Sequence, residues 1–178
     1  MKKTKIINMF GAPGAGKSTA AAYVFSMLKM AGVDAELVTE FAKDKVWEQN
    51  PTPFKHQAYM FGKQAYRIER CVGKVDVIVT DSPLPLSIIY NHDIIPPENF
   101  NGTVMDVYNM YENINYFLKR GKAYNPNGRN QTEEESDALS LDILNLLNHF
   151  NIKYKTYYGI KEDYDKIVSE ILGLIREG

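Results

Sequence analysis

Cysteine is nearly missing from this chain. Cys71 is the single one, so no internal disulfide can brace the fold. Small secreted domains without a large core usually carry several disulfides. A chain of 178 residues can bury one core without them, and a lone thiol fits a reducing compartment such as the cytoplasm. An excess of charge is missing too. With 21 Lys and Arg against 22 Asp and Glu, the net charge is −1. Nothing chain-wide therefore draws the protein to nucleic acid or to anionic lipid, and a nucleic-acid partner is not indicated by charge. No apolar run approaches the roughly 18 residues of a membrane span. The basic start Met1–Lys5 leads into "IINMF", too short for the apolar core of a secretory signal. The three histidines, at 56, 92 and 149, lack ligand spacing and give no metal site. There are no repeats, no low-complexity segments, and no [NT]-K-x-D guanine reader, since Lys43-Asp44 follows Ala42 without that spacing.

Against these absences stands a regular alternation. Lys5–Phe10 reads as a short buried strand, because Ile6, Ile7, Met9 and Phe10 are almost continuous apolar residues. Ser18–Ala31 reads as a helix stopped by Gly32. Further strands are expected at Ala35–Thr39, Val75–Thr80, Ile114–Leu118 and Lys153–Tyr157. Helical patterns fall at Phe54–Val72 and Val104–Asn113, in the segment opened by the capping box Thr132–Glu135, and in the stripe Tyr164, Ile167, Val168, Ile171. Asn91–Gly102, with its paired prolines, reads as a loop. Strands alternating with helices predict one α/β domain over residues 1–178, three layers with a five-stranded parallel sheet between helices on both faces, which the motif below makes a P-loop fold.

The segment "GAPGAGKS" after the first strand matches G-x-x-x-x-G-K-[ST] through Gly11, Gly16, Lys17 and Ser18. Glycines let backbone N–H groups turn toward phosphate oxygens. The helix that follows adds its positive N-terminal end. The cradle comprises Gly11, Ala12, Pro13, Gly14, Ala15, Gly16, Lys17, Ser18 and Thr19. Lys17 is placed to reach the β- and γ-phosphates of ATP, Ser18 to hold Mg²⁺, and Thr19 to bond the α-phosphate. Asp81, at the end of "VDVIVTDSP", is the second Mg²⁺ candidate. Motor ATPases usually place another acid directly after it; here Ser82 follows.

The stretch Lys119–Asn130 is basic and almost free of aliphatic residues. It lies between a strand and a capped helix, where small P-loop kinases carry a lid, here about 119–132. Arg120 and Arg129 are its candidate phosphate clamps, since a planar guanidinium can bind phosphate bidentately. Glu40, at the end of the second strand, or Asp81 is placed to accept a proton from an acceptor hydroxyl, with Asp44 in reserve behind Glu40. On the 54–72 helix, Gln57, Gln64, Arg67 and Arg70 are candidate acceptor contacts, Gln for a base edge and Arg for a phosphate or ribose.

Taken together, "GAPGAGKSTAA", "LVTEFAKD", "FGKQAYRIER", "VIVTDSP" and "FLKRGKAYNPNGRNQTEEE" resemble the small P-loop ATPase/kinase proteins of tailed bacteriophages. That family is similar to the nicotinamide riboside kinase half of the bacterial NAD-regulator protein. The resemblance covers about Lys5 to Phe150. It implies a nucleoside- or nucleotide-kinase-like fold with strand order 2-3-1-4-5. More distantly, Glu40 matches the catalytic carboxylate that deoxynucleoside kinases carry after the second strand. Those enzymes follow this acid with Pro and their third-strand acid with Arg; here Phe41 and Ser82 stand in those places.

The expected activity is therefore ATP- and Mg²⁺-dependent phosphate transfer to a nucleoside, a nucleotide or a modified nucleobase. One alternative acceptor is a hydroxymethyl-pyrimidine in phage DNA. The other reading is a non-catalytic ATP-binding regulator. Self-association as a dimer is left open.

Overall fold

The structure, a computed structural model, describes residues 2–91, 95–121, 123 and 132–176. Its strands are β1 (Lys5–Phe10), β2 (Ala35–Val38), β3 (Val77–Thr80), β4 (Glu112–Lys119) and β5 (Lys155–Tyr158). Its helices are α1 (Lys17–Met30), α2 (Phe41–Trp47), α3 (Gln57–Glu69), α4 (Leu86–Ile89), α5 (Pro97–Asn109), α6 (Glu133–His149) and α7 (Lys161–Arg176). A 3₁₀ turn at Thr52–Lys55 precedes α3. The five strands are all parallel, in the order β2-β3-β1-β4-β5. This is the architecture that the alternating pattern and the resemblance imply.

The pleat of β1 divides the core. Ile7 and Met9 point to one face, with Val77 and Val79 of β3 and Tyr116 and Leu118 of β4, and are covered by α1 and α7. Ile6 and Phe10 point to the other, with Ile78 and Phe117, and are covered by α3, α4, α5 and α6. Central strands buried on both faces read as continuous apolar runs, which is why β1 and β3 stand out in the sequence.

One polar insertion interrupts the second face. Asn8, directly opposite Asn115 in the β1–β4 ladder, donates to the side-chain carbonyls of Asn113 (2.9 Å) and Asn115 (3.0 Å). The Tyr108 hydroxyl donates to the same Asn115 oxygen at 2.8 Å, and Asn115 donates on to the Lys153 carbonyl at 2.9 Å. The amides satisfy one another, so their burial does not leave orphaned donors.

Several boundaries differ from expectation. The loop expected over 91–102 is helical from Pro97, because Pro97 sits in the first turn, where a missing N–H costs nothing. That helix stops at Asn109 rather than Asn113, and β4 begins at Glu112, whose carboxylate pairs with Lys5 on the neighbouring strand. The expected 54–72 helix is a 3₁₀ turn followed by α3, which ends at Glu69. β3 and β5 each start two residues later than expected, at Val77 and Lys155. The capping box stands as expected: Thr132 Oγ1 accepts from Glu135 N at 3.2 Å, and Glu135 Oε2 accepts from Thr132 N at 2.7 Å. Among the described residues no helix is long and apolar enough to cross a membrane.

Candidate functional site

Parallel strands direct all their C-terminal ends to one edge of the sheet, and there the chemistry-bearing residues collect. Between β1 and α1 the glycine-rich loop turns with Gly14 at φ 86° and Gly16 at φ 94°, values that side chains resist. The Ala12 carbonyl accepts twice, from Ala15 N at 3.1 Å and from Lys17 Nζ at 3.1 Å. The lysine is thus folded along its own loop at the base of the cradle. Ser18 and Thr19 are exposed in the first turn of α1.

The expected acids meet at the neighbouring strand ends. Asp81, just past β3, is 5% exposed, and its Oδ1 accepts the backbone N–H of Glu40, just past β2, at 3.1 Å. A cavity of about 230 Å³ is lined by Ser18, Glu40, Lys43, Asp44, Trp47 and Asp81. Burial raises the Glu40 pKa above the ordinary glutamate value, the Asp81 charge raises it further, and Lys17 pulls it back. Tyr90, just past α4 and half-exposed, lies within the field of Glu40. Burial and the field of Glu40 push its phenol up to about 12.

The candidate acceptor contacts on α3 turn toward the chain. Gln64 is buried; its Oε1 accepts from Phe41 N at 2.9 Å, and its Nε2 points at the Thr39 carbonyl at 3.5 Å. Arg67 donates to the same Thr39 carbonyl at 3.3 Å, pairs with Asp44, and stacks 5.0 Å from the Phe41 ring centroid. Together they clamp the backbone on both sides of Glu40. Gln57 is likewise buried and donates to the Ser87 carbonyl at 3.2 Å. Arg70 is exposed and donates to the Arg67 carbonyl at 3.3 Å. The Gln64→Leu change would leave the Phe41 N–H buried without its partner, at a cost of about 1–3 kcal/mol. The expected result is a melting point lower by roughly 2–4 °C per kcal/mol, read by calorimetry.

Arg120, just beyond β4, lies against the start of α6, where it pairs with Glu133 Oε1 at 3.2 Å and with Asp137. Arg129, and most of the expected lid, lie outside the described residues. Two contacts to the glycine-rich loop escaped the sequence reading. The buried Ser136 hydroxyl on α6 donates to the Pro13 carbonyl at 2.7 Å. The turn after β5 presses against the loop at Gly159, where a Cβ would lie 2.1 Å from the Ala15 carbonyl oxygen. Gly159 N also donates to the Lys119 carbonyl at 2.8 Å, which ties this turn to the end of β4. A glycine at a strand's C-terminal end was the available signal for Gly159; nothing marked Ser136.

A parallel sheet of this order, with the glycine-rich loop after β1 and helices on both faces, defines a three-layer α/β fold of the P-loop type. A family model described as AAA domain matches residues 6–162. The chain belongs to that family. No curated protein matches its sequence. Among solved structures, the fold is similar to that of deoxyadenosine kinase from M. mycoides, determined with bound dATP. The TM-score is 0.55 and the identity 19%, over 97% of this chain and 100% of that one.

Proposed function

We propose that this chain is an ATP- and Mg²⁺-dependent phosphotransferase whose acceptor is a hydroxyl or phosphate of a nucleoside, a nucleotide or a modified nucleobase. The observation that carries the reading is the junction of Asp81 and Glu40. Two carboxylates from adjacent strand ends share one cavity with Ser18 of the phosphate loop. The deoxyadenosine kinase likeness supports a kinase of this general kind.

Each residue has a task in that reading. Lys17 and the loop amides neutralise the donor's β- and γ-phosphates. The Ser18 hydroxyl and the Asp81 carboxylate would hold Mg²⁺. They are hard oxygen donors, and a phosphate-bound Mg²⁺ needs only one or two of them from protein. The ion, when bound, supplies charge neutralisation to the phosphates. Glu40 accepts the proton as the acceptor oxygen bonds to the γ-phosphorus and the bridging bond to ADP breaks. Arg120 would leave Glu133 and Asp137 for the migrating group, joined by Arg129. For a monophosphate acceptor the candidates are Arg67, held beside the cavity by Asp44, and Arg70, exposed at the end of the same helix.

The raised Glu40 pKa gives this reading a pH signature. Glu40 must be ionised to take the proton, so transfer falls as pH drops through a midpoint above the ordinary glutamate value. The sign for stability is opposite: Glu40's contribution is fully present at low pH and is lost as pH rises through the raised value. Glu40→Gln is expected to bind ATP, to lose about 10²–10⁴-fold in transfer to a hydroxyl, and to lose the acid limb. The test is transfer of labelled γ-phosphate to nucleosides, deoxynucleoside monophosphates, nicotinamide riboside and oligonucleotides carrying hydroxymethyl-pyrimidine. ATP binding without transfer to any of them overturns the phosphotransferase and leaves a nucleotide-binding regulator.

A further inference from the structure

The contact between Ser136 and Pro13 joins residues 123 positions apart and touches the phosphate loop at its middle. Its consequence follows from peptide geometry. The Pro13 carbonyl and the Gly14 N–H belong to one planar trans peptide and point in opposite directions. If the carbonyl is held against α6, the Gly14 N–H is turned away from α6. If the peptide flips, the N–H is withdrawn and a carbonyl dipole takes its place. Gly14, at φ 86°, carries no side chain to oppose such a flip. The loop sequence alone therefore leaves this peptide free to take either sense.

We infer that Ser136 is a positioning residue for the donor phosphates: its hydroxyl fixes the Pro13–Gly14 peptide so that the Gly14 amide faces the cradle. The surroundings suit that task. Ser136 is 3% exposed, so its hydroxyl is enclosed by protein and has the Pro13 carbonyl as its acceptor at 2.7 Å. Its own helix turn is held by the Thr132–Glu135 capping box on one side and by the Arg120 pairs with Glu133 and Asp137 on the other. A donor anchored on both sides can impose an orientation on a glycine loop. A small cavity of about 150 Å³ beside it, lined by Ala12, Pro13, Ser136, Ser140 and Leu144 among others, provides space into which an unheld peptide can turn.

The inference rests on the donor half of the proposed function, and its test separates the two. ATP and AMP affinities are measured by calorimetric titration for the natural chain and for Ser136→Ala, Ser136→Thr and Ser136→Cys. In the alanine variant, ATP is expected to bind roughly tenfold more weakly, the effect of one lost buried hydrogen bond. AMP, which lacks the β- and γ-phosphates, is expected to be unchanged. Threonine keeps the hydroxyl and should restore ATP affinity. Cysteine, a weaker donor of similar size, should fall between, and it reports even if the alanine variant does not fold. In amide NMR spectra, the Gly14 N–H of the natural chain should shift on ATP addition and that of the cysteine variant should shift less. Equal ATP affinity in folded serine, cysteine and alanine forms overturns the inference, as does an equal weakening of ATP and AMP. A natural chain that binds no ATP overturns the donor reading itself.

Discussion

The Lys17→Ala chain is expected to stay folded and to transfer phosphate about 10²–10³-fold more slowly, the usual effect of removing one preorganised charge from a transition state. The amine lies at the base of the loop, with the Ala12 carbonyl 3.1 Å away, and its truncation removes no part of either apolar core. A small change in melting point should therefore accompany a large change in rate. A second effect distinguishes this lysine from a passive anchor. Its charge lowers the proton affinity of Glu40. Without it, the acid limb of the remaining activity should move to higher pH. Lys17→Arg keeps the charge but not the reach of a point donor, so it should hold the limb nearer its original position while transfer stays impaired. The measurement is a rate–pH profile for the three forms. An unchanged rate in Lys17→Ala would remove Lys17 from the proposed site.

Gly159→Ala is expected to impair both nucleotide binding and stability. The added methyl would lie 2.1 Å from the Ala15 carbonyl oxygen and 3.1 Å from its carbon. Both are backbone atoms, so no side-chain rotation relieves the clash. Either the turn after β5 retreats or the phosphate loop is pushed out of shape. Overpacking of this kind costs about 1–3 kcal/mol, and more where nothing can give. The natural control is Gly173→Ala, in α7, where the new methyl meets nothing within 4 Å. That change should be neutral or should raise the melting point, since alanine favours a helix over glycine by about 0.5–1 kcal/mol. Thermal melts and ATP titrations of the two variants make the comparison. If Gly159→Ala binds ATP as the natural chain does, the close approach of that turn is not what shapes the loop.

The difference between these two glycines shows what the sequence could carry. Local chemistry was legible. "GAPGAGKS" announces a strand, a loop and a helix in order, because each type is required by backbone geometry. Thr132–Glu135 announces a helix start for the same reason. The strand ends were legible enough to name Glu40 and Asp81, though not that Asp81 accepts the Glu40 N–H. What was not legible was contact between distant segments. Gln64 and Arg67 share a helix face, as spacing indicates, but only the packing of α3 against the β2–α2 corner shows that they hold the chain around Glu40. Ser136 follows three acids in a solvent-directed pattern and gave no sign of being buried against Pro13. The α5 boundary was missed because its prolines read as a break, while helix starts tolerate them.

The asparagine network between β1 and β4 has a consequence for alignment. A slip of two residues along these strands would keep every apolar side chain on its proper face, so hydrophobic burial alone discriminates weakly against it. It would also carry Asn8 off Asn115, onto Asn113 in one sense and onto Phe117 in the other, and in either sense Asn115 would face an apolar side chain, Phe10 or Ile6, in place of its amide partner, a penalty that oil-like packing cannot impose. The ladder thus works as a vernier. It sets how far the phosphate loop, which begins where β1 ends, stands from Arg120, which begins where β4 ends. The proposed donor cradle and the proposed clamp are gauged against each other from inside the sheet, several residues away from either.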